Sequence, residues 1–82
     1  MRVTVRLFGP QARLAGRRQL VVELVGDAPT AGDVRAELGR VEPRLTPSLA
    51  HSRLAINYSF ASDAQRILAE DELALIGMLG GG

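Results

Sequence analysis

Hydrophobic and polar residues alternate from the amino end of the chain. Val3, Val5 and Leu7 interleave with Arg2, Thr4 and Arg6, a period of two that predicts a strand with one buried face, closed by Phe8. Gly9 and Pro10 break this run, and Pro10 suits the first turn of a short helix through Leu14 that Gly16 ends. From Gln19 to Val25 the alternation resumes with Leu20, Val22 and Leu24 inward, which predicts a second strand, antiparallel to the first.

Gly26-Asp27-Ala28-Pro29 reads as a turn. Thr30 with Asp33 three residues later marks a helix start, because each side chain can satisfy the other's otherwise unpaired backbone N–H. Ala31, Val34, Leu38 and Val41 then form one apolar stripe, while Arg35, Glu37 and Arg40 point to water. Pro43 and Pro47 punctuate residues 42–52, which predicts a loop with at most one helical turn around Ser48 to Ala50. Arg53 to Tyr58 alternates again, with Leu54 and Ile56 inward. A turn at Ser59 to Asp63, a short edge strand at Arg66 to Leu68 and a last strand at Leu73 to Ile76 complete the pattern.

Strand, strand, helix, strand, short strand, strand predicts an α+β fold: a mixed sheet of four to five strands with one main helix packed on one face. If the first and last strands run parallel side by side, the crossover between them contains the helix, and the other sheet face stays open to a partner. Residues 1–82 are expected to form one domain, with 77–82 as a flexible C-terminal tail.

Composition narrows the function. At 46% hydrophobic and 23% charged residues the chain is of globular type, with no apolar run long enough to span a membrane. The alternating amino end lacks the apolar block of a signal peptide, so the expected location is the cytoplasm. A net charge of +1, one Tyr and two Phe offer little to nucleic acid or to anionic lipid. With no cysteine, neither a disulfide nor a side-chain persulfide is available, and one histidine makes no metal cluster. All ten cationic side chains are arginine, so no lysine can form a Schiff base or accept an isopeptide bond.

Candidate chemistry within the domain is thin. Ser48, His51 and Ser52 share a loop without the geometry that activates a nucleophile. Glu70-Asp71-Glu72 lacks the ligand spacing and the glycine of a calcium loop and reads as a solvated turn, and no glycine pattern forms a phosphate loop. No metal site is expected. What stands out is Gly80-Gly81-Gly82 directly after an apolar strand. Without Cβ atoms such a tail can pass a channel too narrow for side chains and present the α-carboxylate of Gly82. A carboxylate becomes an acyl donor only after activation, for instance as an acyl-adenylate made by another protein. Met78 and Leu79, apolar and next to the reactive end, are candidate anchors on that partner.

Taken in order, these features resemble a known family. Arg6-Leu7-Phe8 before a short helix, Thr30 opening the main helix, Leu54-Ala55-Ile56-Asn57, Asp71-Glu72-Leu73-Ala74 and the final Gly81-Gly82 are similar to the ubiquitin-like MoaD/ThiS sulfur carriers. Within that group the length resembles the small subunits of molybdopterin synthase. The resemblance implies a β-grasp fold and a protein that donates sulfur without catalysing alone and binds no cofactor. It implies that an E1-like enzyme adenylates Gly82 with ATP, and that a sulfur-donating enzyme converts it to a thiocarboxylate. The tail, Gly80 and Gly81, is then inserted into the large synthase subunit, in a hetero-oligomer, where sulfur passes to molybdopterin. Partner contacts are expected at Phe8, Met78 and Leu79. Alternative acceptors are thiamine, transfer RNA or an amino-acid pathway, and a binding module with an inert tail is a further alternative. Family tails commonly carry prolines where this chain has Gly77-Met78-Leu79-Gly80.

Overall fold

β1 (Arg2–Leu7) realises the first alternation: Val3, Val5 and Leu7 are buried, and Arg2, Thr4 and Arg6 are exposed. In the computed structural model, which describes residues 1–78, β1 pairs antiparallel with β2 (Gln19–Glu23). On its other side β1 runs parallel to the last strand, β5 (Leu73–Gly77), with Val5 opposite Leu73 and Leu7 opposite Leu75. β5 is antiparallel to β3 (Ser52–Ile56), and β3 to the two-residue β4 (Ser59–Phe60). The order β2-β1-β5-β3-β4 puts β5 in the centre of a mixed five-stranded sheet. This is the expected β-grasp architecture.

The short helix α1 (Gly9–Ala15) starts with Pro10 in its first turn and stops at Gly16, whose φ of 67° is left-handed. α2 (Ala31–Val41) begins where Thr30 and Asp33 predict. The Asp33 N–H donates to Thr30 Oγ1 at 3.3 Å, and the Thr30 N–H donates to Asp33 Oδ2 at 2.8 Å. Ala31, Val34 and Leu38 are fully buried against the sheet, in one core with Val5, Leu54 and Leu75. Complete burial of side chains this size contributes about 1.5–3 kcal/mol for each Val or Leu, which is what holds a helix of this length in place.

Several expectations are corrected. Val41 is 39% exposed, because the end of α2 lies beside the edge strand β2 rather than beneath the sheet. Arg35 does not point simply to water: its guanidinium donates to the Asp63 carboxylate at 3.1 Å and to the Leu49 carbonyl. Residues 42–52 are more helical than a loop. A 3₁₀ turn (Pro43–Leu45) leads into the one-turn helix α3 (Thr46–Leu49), and the pair folds back to bury Leu45 completely. Each proline sits in a first turn, where its missing N–H is not needed.

The turn after β3 comes two residues earlier than expected. Asn57 and Tyr58 form it, both with positive φ (51° and 70°), and Ser59 and Phe60 are strand rather than turn. Two left-handed residues match the twist of a two-residue hairpin. No edge strand forms at Arg66 to Leu68. Arg66 makes one isolated bridge, to Thr30, because the Ile67 and Ala31 N–H groups tie this segment to Pro29 and Gln65 beside the start of α2. The last strand runs one residue further than expected, to Gly77 opposite Ser52, and the Met78 N–H donates to the His51 carbonyl at 2.7 Å. Met78 is therefore tied to the fold, although the tail was expected to begin at residue 77.

Candidate functional site at the open sheet face

Period-two geometry sends alternate residues of β5 to opposite faces of the sheet. Leu73 and Leu75 enter the core, whereas Ala74 and Ile76 lie on the face without helices. Register then assembles that face: Ala74 lies opposite Ala55 and Arg6, Ile76 opposite Arg53, and Phe60 opposite Ala55. Small Ala55 and Ala74 between larger neighbours leave an apolar groove of about 320 Å³, walled by Phe8, Phe60 and Ile76. Phe8 is 49% exposed and Phe60 50%, and half-exposed aromatics around a groove are what a docking partner covers.

Polar groups rim the groove. The Arg53 guanidinium lies 5.1 Å from the Phe60 ring centroid, within cation–π range. Tyr58 donates its hydroxyl to Glu72 Oε2 at 2.7 Å. That hydrogen bond, followed by the negative charge of Glu72, holds the Tyr58 phenol above its ordinary pKa of 10.0, with Arg6 opposing. The groove thus carries a basic side chain at Arg6 and an acid-paired phenol at Tyr58, with Arg53 lying over the Phe60 wall.

A second cavity of about 270 Å³ adjoins the end of β5, bounded by Phe8, Gln11, His51, Ile76, Gly77 and Met78. Phe8 and Ile76 belong to both cavities, so the open face continues to the point where the chain leaves the sheet. Of the predicted site residues, Phe8 and Met78 are brought together here. Leu79, Gly80, Gly81 and Gly82 lie outside the described residues.

Phe60, Ile76, Ala55 and Ala74 were not singled out from the sequence. Ile76 and Ala74 could have been found from the alternation of β5, since residues that alternate with the core leucines Leu73 and Leu75 must face the other side. Phe60 gave no such signal inside a polar stretch.

The remaining candidates have structural roles. Ser48 and Ser52 donate their hydroxyls to the Leu45 and Leu49 carbonyls, so neither is poised beside a base. Asp71 accepts from the Leu68 N–H and the Asn57 amide. Among the described residues there is no group of three His, Cys, Asp or Glu able to hold a metal, and no helix long and apolar enough to cross a membrane.

Solved structures share this arrangement over the whole chain. SAMP1 from Haloferax volcanii is 28% identical with a TM-score of 0.84, each chain covering 100% of the other. SAMP1 from Methanosarcina acetivorans is 20% identical with a TM-score of 0.78, covering 99% of this chain and 96% of its own. A chain from the complex of subunits 1 and 2 of molybdopterin-converting factor from Helicobacter pylori is 22% identical with a TM-score of 0.68, at 100% coverage of both. No curated protein matches. Residues 5–82 match the model of the ThiS family. The chain therefore belongs to the ThiS family, within the ubiquitin-like MoaD/ThiS sulfur carriers.

Proposed function

We propose that this protein carries sulfur for molybdopterin synthesis on the carboxylate of Gly82. One observation carries the reading: the central strand β5 ends beside an open apolar face, with Met78 fixed on His51, and Leu79 to Gly82 follow it in sequence. In this reading the face docks a partner while the glycines reach its active site. The Helicobacter pylori complex, in which subunits 1 and 2 of the converting factor are bound together, supports a large-subunit partner.

The chemistry is divided between proteins. The Gly82 carboxylate attacks the α-phosphate of ATP held by an E1-like enzyme and releases pyrophosphate. Sulfide-level sulfur (HS⁻) supplied by a sulfur-donating enzyme then attacks the acyl carbon, the C–O bond to AMP breaks, AMP leaves and the proton passes to solvent, which leaves a thiocarboxylate. This chain's part is to dock, to present the carboxylate and to hold the sulfur. It has no cysteine, so no side-chain thiol is available to hold the sulfur as a persulfide.

Incubation with an activating enzyme, ATP and a sulfur source should raise the intact mass by the difference between sulfur and oxygen. Deleting Gly82 should abolish that gain without disturbing the fold. An unchanged mass on the native terminus rejects the carrier reading, and a binding module with an inert tail would tolerate the deletion.

A second reading is favoured by the likeness to the small archaeal modifier proteins. There the activated Gly82 would form an amide with an amine of another protein. Peptide mass mapping separates the two: acceptor lysines bearing the carboxyl-terminal peptide of this chain, Ile67 to Gly82 after cleavage at arginine, support modification, and thiocarboxylate without such branched peptides supports sulfur donation. This chain has no lysine and so cannot serve as a side-chain acceptor for further copies.

A further inference from the structure

The described residues contain two buried polar side chains, Gln11 and Ser52. Ser52 donates its hydroxyl to the Leu49 carbonyl. Gln11, 5% exposed in α1, places its amide against the backbone of Gly77. A Cβ built on Gly77 would lie 2.7 Å from Gln11 Nε2 and 3.0 Å from Oε1, closer than van der Waals contact allows. The space that any other residue at position 77 would fill with its side chain is filled by Gln11.

Gly77 follows Leu73 and Leu75 in the alternation, so this space lies on the helix side of the sheet. On either side of Gly77 the backbone is held by β3 and the loop before it: Gly77 is in register with Ser52, and Met78 donates to the His51 carbonyl. Glycine is the residue with the widest choice of backbone angles, and a glycine as the last rung of a central strand would let the chain leave in many directions. The Gln11 amide closes the one side on which Gly77 has no side chain of its own.

We propose that Gln11 is a positioning residue: through Gly77 it fixes the direction in which the chain leaves β5, and so the delivery of Gly82 to the activating enzyme. This rests on the carrier reading above. Gln11 acts through Gly77, by holding the last rung of the strand. The freedom of a glycine at 77 is thereby removed at the strand end.

The test is a double-mutant cycle with two readouts, run on the full chain. In ATP–pyrophosphate exchange by the activating enzyme, Gln11→Ala is expected to lower kcat about tenfold with KM nearly unchanged, because docking is intact and delivery is not. Gly77→Ala alone should do the same by displacing the amide. The double variant Gln11→Ala/Gly77→Ala should recover most of the loss, since the new methyl group at position 77 then has room and narrows the backbone choices there. Hydrogen exchange supplies a readout independent of activity: the Met78 amide should exchange faster in Gln11→Ala and be protected again in the double variant, while core amides such as Val5 keep wild-type rates.

Wild-type kcat and Met78 protection in Gln11→Ala overturn the proposal, as does additive loss in the double variant. Accelerated exchange at Val5 would mark a loss of global stability and also count against a positioning role. If the wild-type chain supports no exchange of pyrophosphate at all, the carrier reading fails, and the Met78 amide still decides whether Gln11 holds the strand end.

Discussion

Asn57 and Glu72 hold each other across the start of the last strand. The Asn57 N–H donates to the Glu72 carbonyl at 2.8 Å, and the Glu72 N–H donates to Asn57 Oδ1 at 2.9 Å. Asn57 Nδ2 also donates to Asp71 at 3.0 Å, so one turn residue orders the segment that feeds β5. Asn57 has a φ of 51°, a conformation asparagine tolerates better than other residues with a Cβ. Asn57→Ala should therefore lose both the side-chain bonds and the backbone preference. The expected cost is about 2 kcal/mol, measured by urea unfolding. Asn57→Gly removes the same bonds but relieves the backbone, and should fall between the alanine variant and wild type.

Tyr58 is the only tyrosine in the chain, so its titration can be followed directly by tyrosinate absorbance. The hydrogen bond to Glu72 favours the neutral phenol, and the folded protein should titrate above 10.0. The sign for stability follows from the raised pKa. Any stabilisation from this bond is fully present below the unfolded value and disappears as pH rises through the higher folded value. Glu72→Ala should return the tyrosine titration toward its ordinary value. An unchanged titration would show that the bond does not persist in solution.

Local signals made much of the fold legible. β1, β2 and the start of α2 are written in short-range alternation and in the Thr30–Asp33 pair, which need no knowledge of the rest of the chain. The β3–β4 hairpin was less legible, because its turn places Tyr58 at a φ of 70° that tyrosine rarely adopts and that a long-range bond to Glu72 supports. Residues 66–68 look like a strand but pair their backbone with the loop before α2, a choice set by tertiary packing. At the site, Phe8 and Met78 could be named because they flank recognisable elements. Phe60 could not, since the face it shares with Ile76 exists only once β5 lies between β1 and β3. Gly77 looked like the first residue of a loose tail, and only the distant Gln11 reveals why a glycine sits in the strand.

The capping pair at the start of α2 allows a prediction confined to stability. Thr30→Ala removes the acceptor for the Asp33 N–H and breaks the reciprocal arrangement. The expected loss is about 1 kcal/mol in chemical denaturation. Because Thr30 is remote from the β5 groove, partner binding at a temperature well below unfolding should be unaffected. Weakened binding would connect α2 to the docking face in a way the fold does not suggest.

Docking on the open face would be carried by a few side chains rather than by the whole sheet. Phe60 is half exposed and opposite Ala55, so Phe60→Ala deletes a wall of the groove and the ring that Arg53 covers, while the core beneath is untouched. If the docking partner is the large subunit, as proposed above, the expected loss of affinity is about 2 kcal/mol, or roughly thirty-fold in Kd, by titration calorimetry. Its cost to folding should be about 1 kcal/mol or less. Val21 provides the control: it is 49% exposed on the same face, but on edge strand β2 and outside the groove. Val21→Ala should leave affinity unchanged. Equal losses for Phe60→Ala and Val21→Ala would mean that the partner covers the sheet face broadly. Loss at Val21 alone would move the docking site to the other side of β1.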